Sequence, residues 1–165
     1  PDPAVRARLV LRLAQASGHA GMVGGQAIDL AAGKADGPLG AAQVKRLQAL
    51  KTGALIEFAA EAGAILAQAA DADLSAIRAY ARALGEAFQI ADDLLDLTGS
   101  EAEVGKRLRK DADAGKATFV DILGPGGARA RAAELVAEAE ARLAPYGRAA
   151  EMLIQAARFV VERRS

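Results

Sequence analysis

Residues 92–96 read Asp-Asp-Leu-Leu-Asp, and carboxylates in that pattern suit a divalent cation. Asp92 and Asp96 are neighbours on a helix, where like charges cost roughly 0.2–0.5 kcal/mol even when exposed. At about 4 Å and an effective dielectric near 20, the repulsion approaches about 4 kcal/mol, so carboxylates lining a cavity need a counter-ion or raised pKa values. Few carboxylates and no softer ligands favour Mg²⁺, which keeps several waters and completes its shell with substrate phosphates. The other reading is a solvated acidic helix end, and the pentapeptide alone does not separate the two.

Positive charge occurs at equally specific places. Lys51 falls within the stripe Val44, Leu47, Leu55, Phe58 and Ala62, and so interrupts an apolar helix face. It is either the partner of an anion or a lysine whose stem covers its neighbours while the ammonium reaches for water. Beyond the acidic helix, Lys106, Arg107, Arg109, Lys110 and Lys116 make a basic stretch, either near a metal-bound phosphate or a solvated loop. Gln26 and Asp29 share a helix face, with Gly21, Gly24 and Gly25 removing side chains nearby. That pattern fits either cavity space or a small-residue packing seam. His19, the only histidine, is assigned nothing. Residues 115–118, Gly-Lys-Ala-Thr, are no P-loop, because the hydroxyl residue does not directly follow the lysine.

The elements carrying these residues are helical throughout. Alanine and leucine dominate, aromatics are 4%, and β-branched residues form no alternating runs. Helices are expected over 4–17, 18–31, 39–70, 74–97, 118–123, 128–143 and 148–163. Breaks carry turn chemistry at 33–38, 98–100, 124–127 and 145–147. On the helix 74–97, Ile77, Ala81, Leu84, Phe88, Ala91 and Leu95 form the packing face. Arg78, Arg82, Gln89, Asp92 and Asp96 form a polar arc, expected to face an internal cavity. A 165-residue chain with 52% hydrophobic residues is one all-α domain with one substantial core. Lysine and arginine total 21 against 21 acidic residues, which gives no global field for nucleic acid or an anionic bilayer. There are no cysteines, which removes disulfides and thiolate chemistry and fits a reducing cytoplasm. No apolar run reaches the ~20 residues of a membrane span.

The run 88–99, Phe-Gln-Ile-Ala-Asp-Asp-Leu-Leu-Asp-Leu-Thr-Gly, resembles the FQ..DD.LD..G signature of trans-isoprenyl diphosphate synthases. Three further blocks agree with that family in order. Residues 21–30 resemble its GGQ..DL helix, 51–56 its KTG.LI block, and Gly105-Lys106, Asp111, Gly115-Lys116 and Thr118 its GK...D...GK.T loop.

The resemblance implies the C-terminal portion of an isoprenoid synthase helical bundle around a central cavity. It implies a cytoplasmic, homodimeric prenyltransferase that condenses an allylic diphosphate with isopentenyl diphosphate, giving farnesyl diphosphate. By motif match, Asp92, Asp93 and Asp96 would bind Mg²⁺, of which the family uses several ions. Lys51, Lys106 and Lys116 would hold the allylic diphosphate, Thr52 and Gln89 would place neutral oxygens near the developing cation, and Gln26 and Asp29 would line the same cavity. The family's first aspartate-rich motif is absent before Gly21, so this chain alone is expected not to condense substrates. A geranylgeranyl diphosphate synthase and a non-catalytic subunit of a heteromeric prenyl synthase are the alternative readings. A class I terpene cyclase does not explain the GGQ, KTG and GK blocks, nor a plain helical scaffold the placement of Lys51.

Overall fold

The computed structural model describes residues 2–34, 37–103 and 118–163, with the side chains of 99–103 left aside. Helix α1 spans Pro3–Ser17, α2 Met22–Ala32, α3 Ala41–Gln48, α4 Ala54–Leu66, α5 Asp71–Glu103, α6 Phe119–Leu143 and α7 Glu151–Glu162. A π-helical turn, Ala49–Gly53, joins α3 to α4, and a 3₁₀ segment, Ala144–Ala150, joins α6 to α7. Among the described residues there is no strand, in keeping with the all-α reading.

The core sits where α5 lies along α6 and α7. Tyr80, Ala81, Ala87 and Ile90 of α5 pack with Ala128, Ala132, Leu135 and Ala139 of α6. Alanines at these positions let the helix axes approach closely. The Tyr80 hydroxyl donates to the Leu153 carbonyl at 2.8 Å, which satisfies its polar end within that core. A smaller cluster, Val5, Ile65 and Leu74, ties α1 and α4 to the start of α5.

Three boundaries differ from expectation. The expected helix 39–70 is divided by the π-helical turn, where one extra residue widens the backbone at Lys51. Residues 98–100 do not end α5, which continues to Glu103. The Thr98 hydroxyl is satisfied inside the helix, donating to the carbonyls of Leu94 and Leu95 at 3.2 and 3.0 Å, so it supplies no turn. The expected break at 145–147 is there, with Gly147 at φ 54°, but the 3₁₀ segment runs on to Ala150, so α7 begins at Glu151 rather than at 148. The glycine-rich stretch 124–127 marks a real interruption, since Gly124 at φ 69° and ψ 161° breaks the course of α6. No described helix is long and apolar enough to cross a membrane.

Candidate functional site

The acidic stretch lies near the end of α5, and its three aspartates are used in three ways. Asp93 faces inward. Its Oδ2 accepts from the Phe119 backbone N–H at 2.8 Å, which ties α5 to the first turn of α6. That turn is closed by a reciprocal cap, in which Asp121 Oδ2 accepts from the Thr118 N–H and Thr118 Oγ1 accepts from the Asp121 N–H. Burial pushes the Asp93 carboxyl up to about 6; the Phe119 bond opposes this, and the charges of Asp96, Asp121 and Asp92 add to it.

Asp92 is 40% exposed and accepts a hydrogen bond from Arg163 Nη2 at the end of α7. The Arg163 guanidinium lies 4.4 Å from the centre of the Phe88 ring, one turn before Asp92. Its Nε is buried without a hydrogen-bond partner among the described residues. Asp96 is exposed, and Gln89 is half-buried on the same helix. No group of three acidic or histidine side chains among the described residues converges closely enough to hold a metal. Asp92 and Asp96 nonetheless fit Mg²⁺ by chemistry. They are oxygen donors one turn apart, the ligand type that ion takes, and Arg163 occupies Asp92 in its place.

A carboxyl whose folded pKa lies above its ordinary value binds its proton more tightly in the folded chain. Stability should therefore fall as pH rises between 3.8 and about 6. Asp93→Asn keeps an oxygen acceptor for Phe119 and removes the titration. Thermal melts of this variant are expected to lack the decline that the wild type shows between pH 4.5 and about 6, above the range where Glu61 titrates, with a gain at pH 7 on the order of 1–2 kcal/mol. An unchanged wild-type slope would show that Asp93 is not its source.

Lys51 stands in the π-helical turn, with its side chain 34% exposed. Its Nζ donates to Asp29 Oδ2 of α2 at 2.7 Å, so the lysine and the α2 carboxylate are brought together. Thr52 is half-buried in the same turn, whereas Gln26 is exposed on α2. Lys106 and Lys116 lie outside the described residues.

The polar arc of α5 does not face one cavity. Arg78 turns to Glu61 of α4, and Arg82 pairs with Glu57 through Nε at 2.8 Å and Nη2 at 3.1 Å. A cleft of about 650 Å³ lies beside the π-helical turn, lined among others by Gln48, Gly53, Glu57, Arg82, Glu86 and Phe119. Neither Asp92 nor Lys51 lines it. Of the arc, Arg82 lines the cleft together with its partner Glu57, while Arg78 is taken up by Glu61.

Two partners escaped the sequence reading. Glu61 is fully buried on α4, and its oxygens take both Arg12 and Arg78. A charge four residues before Ile65 on a packing face was the available signal. Arg163 meets Asp92 across 71 residues of sequence, and no local pattern marks it.

A helical bundle carrying an aspartate-rich helix end and a paired lysine in a widened turn has the all-α fold of isoprenoid synthases. The crystal structure of an FPP/GFPP synthase from Zymomonas mobilis superposes on it with a TM-score of 0.86 at 46% identity, covering 97% of this chain and 52% of that one. The chain belongs to the polyprenyl synthetase family, whose profile matches residues 7–151. The farnesyl diphosphate synthase of Escherichia coli is 42% identical over 139 residues, which are 84% of this chain and 46% of that protein. Geranylgeranyl pyrophosphate synthase 9 of Arabidopsis thaliana is 40% identical over 144 residues, 87% and 39% of the two chains. A geranyltransferase structure from Helicobacter pylori, complexed with magnesium and isoprenyl diphosphate, matches at 27% identity and a TM-score of 0.75, covering 98% of this chain and 52% of that one. The chain thus spans about half the length of the structures it matches.

Proposed function

We propose that this chain carries the second metal-binding and diphosphate-binding part of a prenyltransferase that joins an allylic diphosphate to isopentenyl diphosphate. The observation that carries the reading is Asp92. It is a partly exposed carboxylate one turn from Asp96, it sits in the family's aspartate-rich signature, and Arg163 holds it where Mg²⁺ would have to displace that guanidinium. In this reading the C–O bond of the allylic diphosphate breaks and its electron pair leaves with the diphosphate. The double bond of isopentenyl diphosphate then attacks the allylic carbon, and a proton is lost to restore an alkene.

Mg²⁺, held by Asp92 and Asp96 with Asp93 behind them, would neutralise charge on the departing diphosphate. Lys51 supplies an ammonium held in place before substrate arrives, since Asp29 already fixes its position. Lys106 and Lys116 join it by motif match. By motif match Thr52 and Gln89 would offer neutral oxygens to the developing cation, and Gln26, exposed on α2, would border it. Asp93 holds the start of α6 against the acidic helix end through Phe119, which keeps Asp92 and Asp96 oriented. A cytoplasmic homodimer belongs to the same reading.

Farnesyl diphosphate is the product we infer, supported by the likeness to the Escherichia coli and Zymomonas mobilis enzymes. Geranylgeranyl diphosphate is the alternative, favoured by the Arabidopsis thaliana relative.

Calorimetric titration with inorganic pyrophosphate tests the binding half of the proposal. Binding is expected in Mg²⁺ and lost in excess chelator. Lys51→Met should weaken it about 10- to 100-fold, the size of a lost hydrogen bond from a charged donor. Pyrophosphate that fails to bind in Mg²⁺, or binds Lys51→Met as tightly as wild type, would reject the assignment.

A further inference from the structure

Glycines on two other helices lie close against the π-helical turn Ala49–Gly53. Gly25 of α2 is buried against it. A Cβ placed there would fall 2.3 Å from the Lys51 backbone nitrogen, 2.6 Å from its Cα and 2.8 Å from its Cβ. At the other end of the turn, a Cβ on Gly85 of α5 would lie 3.3 Å from the Gly53 Cα and 3.8 Å from Ile56 Cδ1. The Gly25 contacts fall mostly on backbone, so no side-chain rotation relieves them. The Gly85 contact asks for a shift of only a few tenths of an ångström.

The wide turn explains why the room is needed. A π-helical turn carries one more residue per hydrogen-bonded loop than an α-helix, so its backbone bulges beyond the usual helix cylinder. Here the bulge includes Lys51, and α2 is the helix it meets. One turn along α2 from Gly25 stands Asp29, which takes the Lys51 ammonium at 2.7 Å. Gly25 and Asp29 lie four residues apart on one helix face. That face therefore holds the lysine at both ends, its Cα against Gly25 and its Nζ on Asp29. A long side chain fixed at both ends has little rotamer freedom left to lose when an anion binds.

We propose that Gly25 is a positioning residue: by having no side chain it seats the Lys51 backbone against α2, so that the ammonium is presented to a diphosphate at a set point, with Gly85 a second close contact of the same turn. This rests on the reading of Lys51 as a diphosphate ligand. A plain close-packing role for Gly25 would affect stability alone, whereas a seat acts through Lys51.

A double-mutant cycle on the full chain separates the two, with inorganic pyrophosphate in Mg²⁺ as the probe and thermal melts alongside. Gly25→Ala is expected to weaken pyrophosphate binding about tenfold or more, since misplacing a binding group by about 1 Å can cost up to about 100-fold. Gly85→Ala should cost about two- to fourfold by the same argument at smaller displacement. In a Lys51→Met background neither substitution should weaken binding further, although each should still lower the melting temperature. Gly63→Ala is the control, because a Cβ there meets nothing within 4 Å. If Gly25→Ala does not fold, the cycle with Gly85→Ala decides, and its loss must vanish when Lys51 is absent. A folded Gly25→Ala that binds as wild type, or losses that add to that of Lys51→Met, would overturn the seat while leaving the lysine's role standing. A Lys51→Met chain that binds pyrophosphate normally would overturn the functional reading and the seat with it.

Discussion

Replacing Glu61 with alanine is expected to lower the chain's stability by about 3 kcal/mol, the low end of the range for breaking a buried charge network. Glu61 is fully buried on α4. Arg12 Nε and Nη2 of α1 donate to its Oε2 at 2.9 and 2.8 Å, and Arg78 Nη2 of α5 donates to its Oε1. One carboxylate thus joins three helices, and removing it leaves two guanidiniums facing each other. The arginines keep 29% and 32% side-chain exposure, so each can recover part of its hydration. That recovery keeps the loss from reaching the upper end of the range. At ~2–4 °C per kcal/mol for a chain of this size, the melting temperature should drop by roughly 6–12 °C. Urea denaturation that finds less than about 1 kcal/mol would mean that the network contributes no more than surface ion pairs do.

The same carboxylate has a pH signature opposite to that of Asp93. Burial alone would raise the Glu61 pKa, but hydrogen bonds from Arg78 and Arg12 outweigh it and hold the carboxyl below its usual 4.5. The stability it confers is present above that value and is lost as pH falls through the lower folded pKa. Asp93 is shifted upward, so its ionisation weakens the fold as pH rises toward 6. The two carboxyls lie about one residue type apart in chemistry, and their surroundings alone set the sign.

The contrast shows what a linear pattern reveals. Helical periodicity on α5 was plain, because Ile77, Ala81, Leu84, Phe88 and Ala91 recur at helix spacing and all pack inward. The Asp92 to Asp96 spacing and the charge at Lys51 were likewise readable, since both are local departures from an apolar pattern. Glu61 looked like one more polar residue among alanines, because its partners lie 49 residues before it and 17 after. Asp93 stood in the same acidic run as Asp92, yet its role depends on Phe119, at the start of another helix. The widened turn at Lys51 left no mark either. Ala49-Leu50-Lys51-Thr52-Gly53 has acceptable helix formers, and the glycine that leaves room for the bulge is on α2. Contacts between helices decide all three cases, and no window of sequence names the partners.

Asp92→Ala is expected to have the second large effect, and its form discriminates among the aspartates. Removing this carboxylate deletes one of two oxygen donors that stand one turn apart, so Mn²⁺ binding, read by electron paramagnetic resonance as a stand-in for Mg²⁺, should weaken about tenfold or more. That is the scale of one lost charge-assisted interaction of 1.5–3 kcal/mol. The fold also suffers, because Arg163 is 17% exposed and loses its only charged partner seen among the described residues. Its contact with the Phe88 ring remains, worth about 0.5–1 kcal/mol at an exposed site and more when desolvated, which limits the destabilisation. Asp92→Asn should restore the Arg163 hydrogen bond and most of the stability while leaving metal binding weak, since the neutral amide oxygen is a poorer partner for a hard cation. Asp93→Ala should do the reverse. It strips the acceptor from the Phe119 amide and costs fold stability, with a smaller loss of Mn²⁺ affinity than Asp92→Ala. If Asp93→Ala loses metal as fully as Asp92→Ala while melting at the wild-type temperature, the division of labour along this helix end is wrong, and Asp93 is the principal ligand.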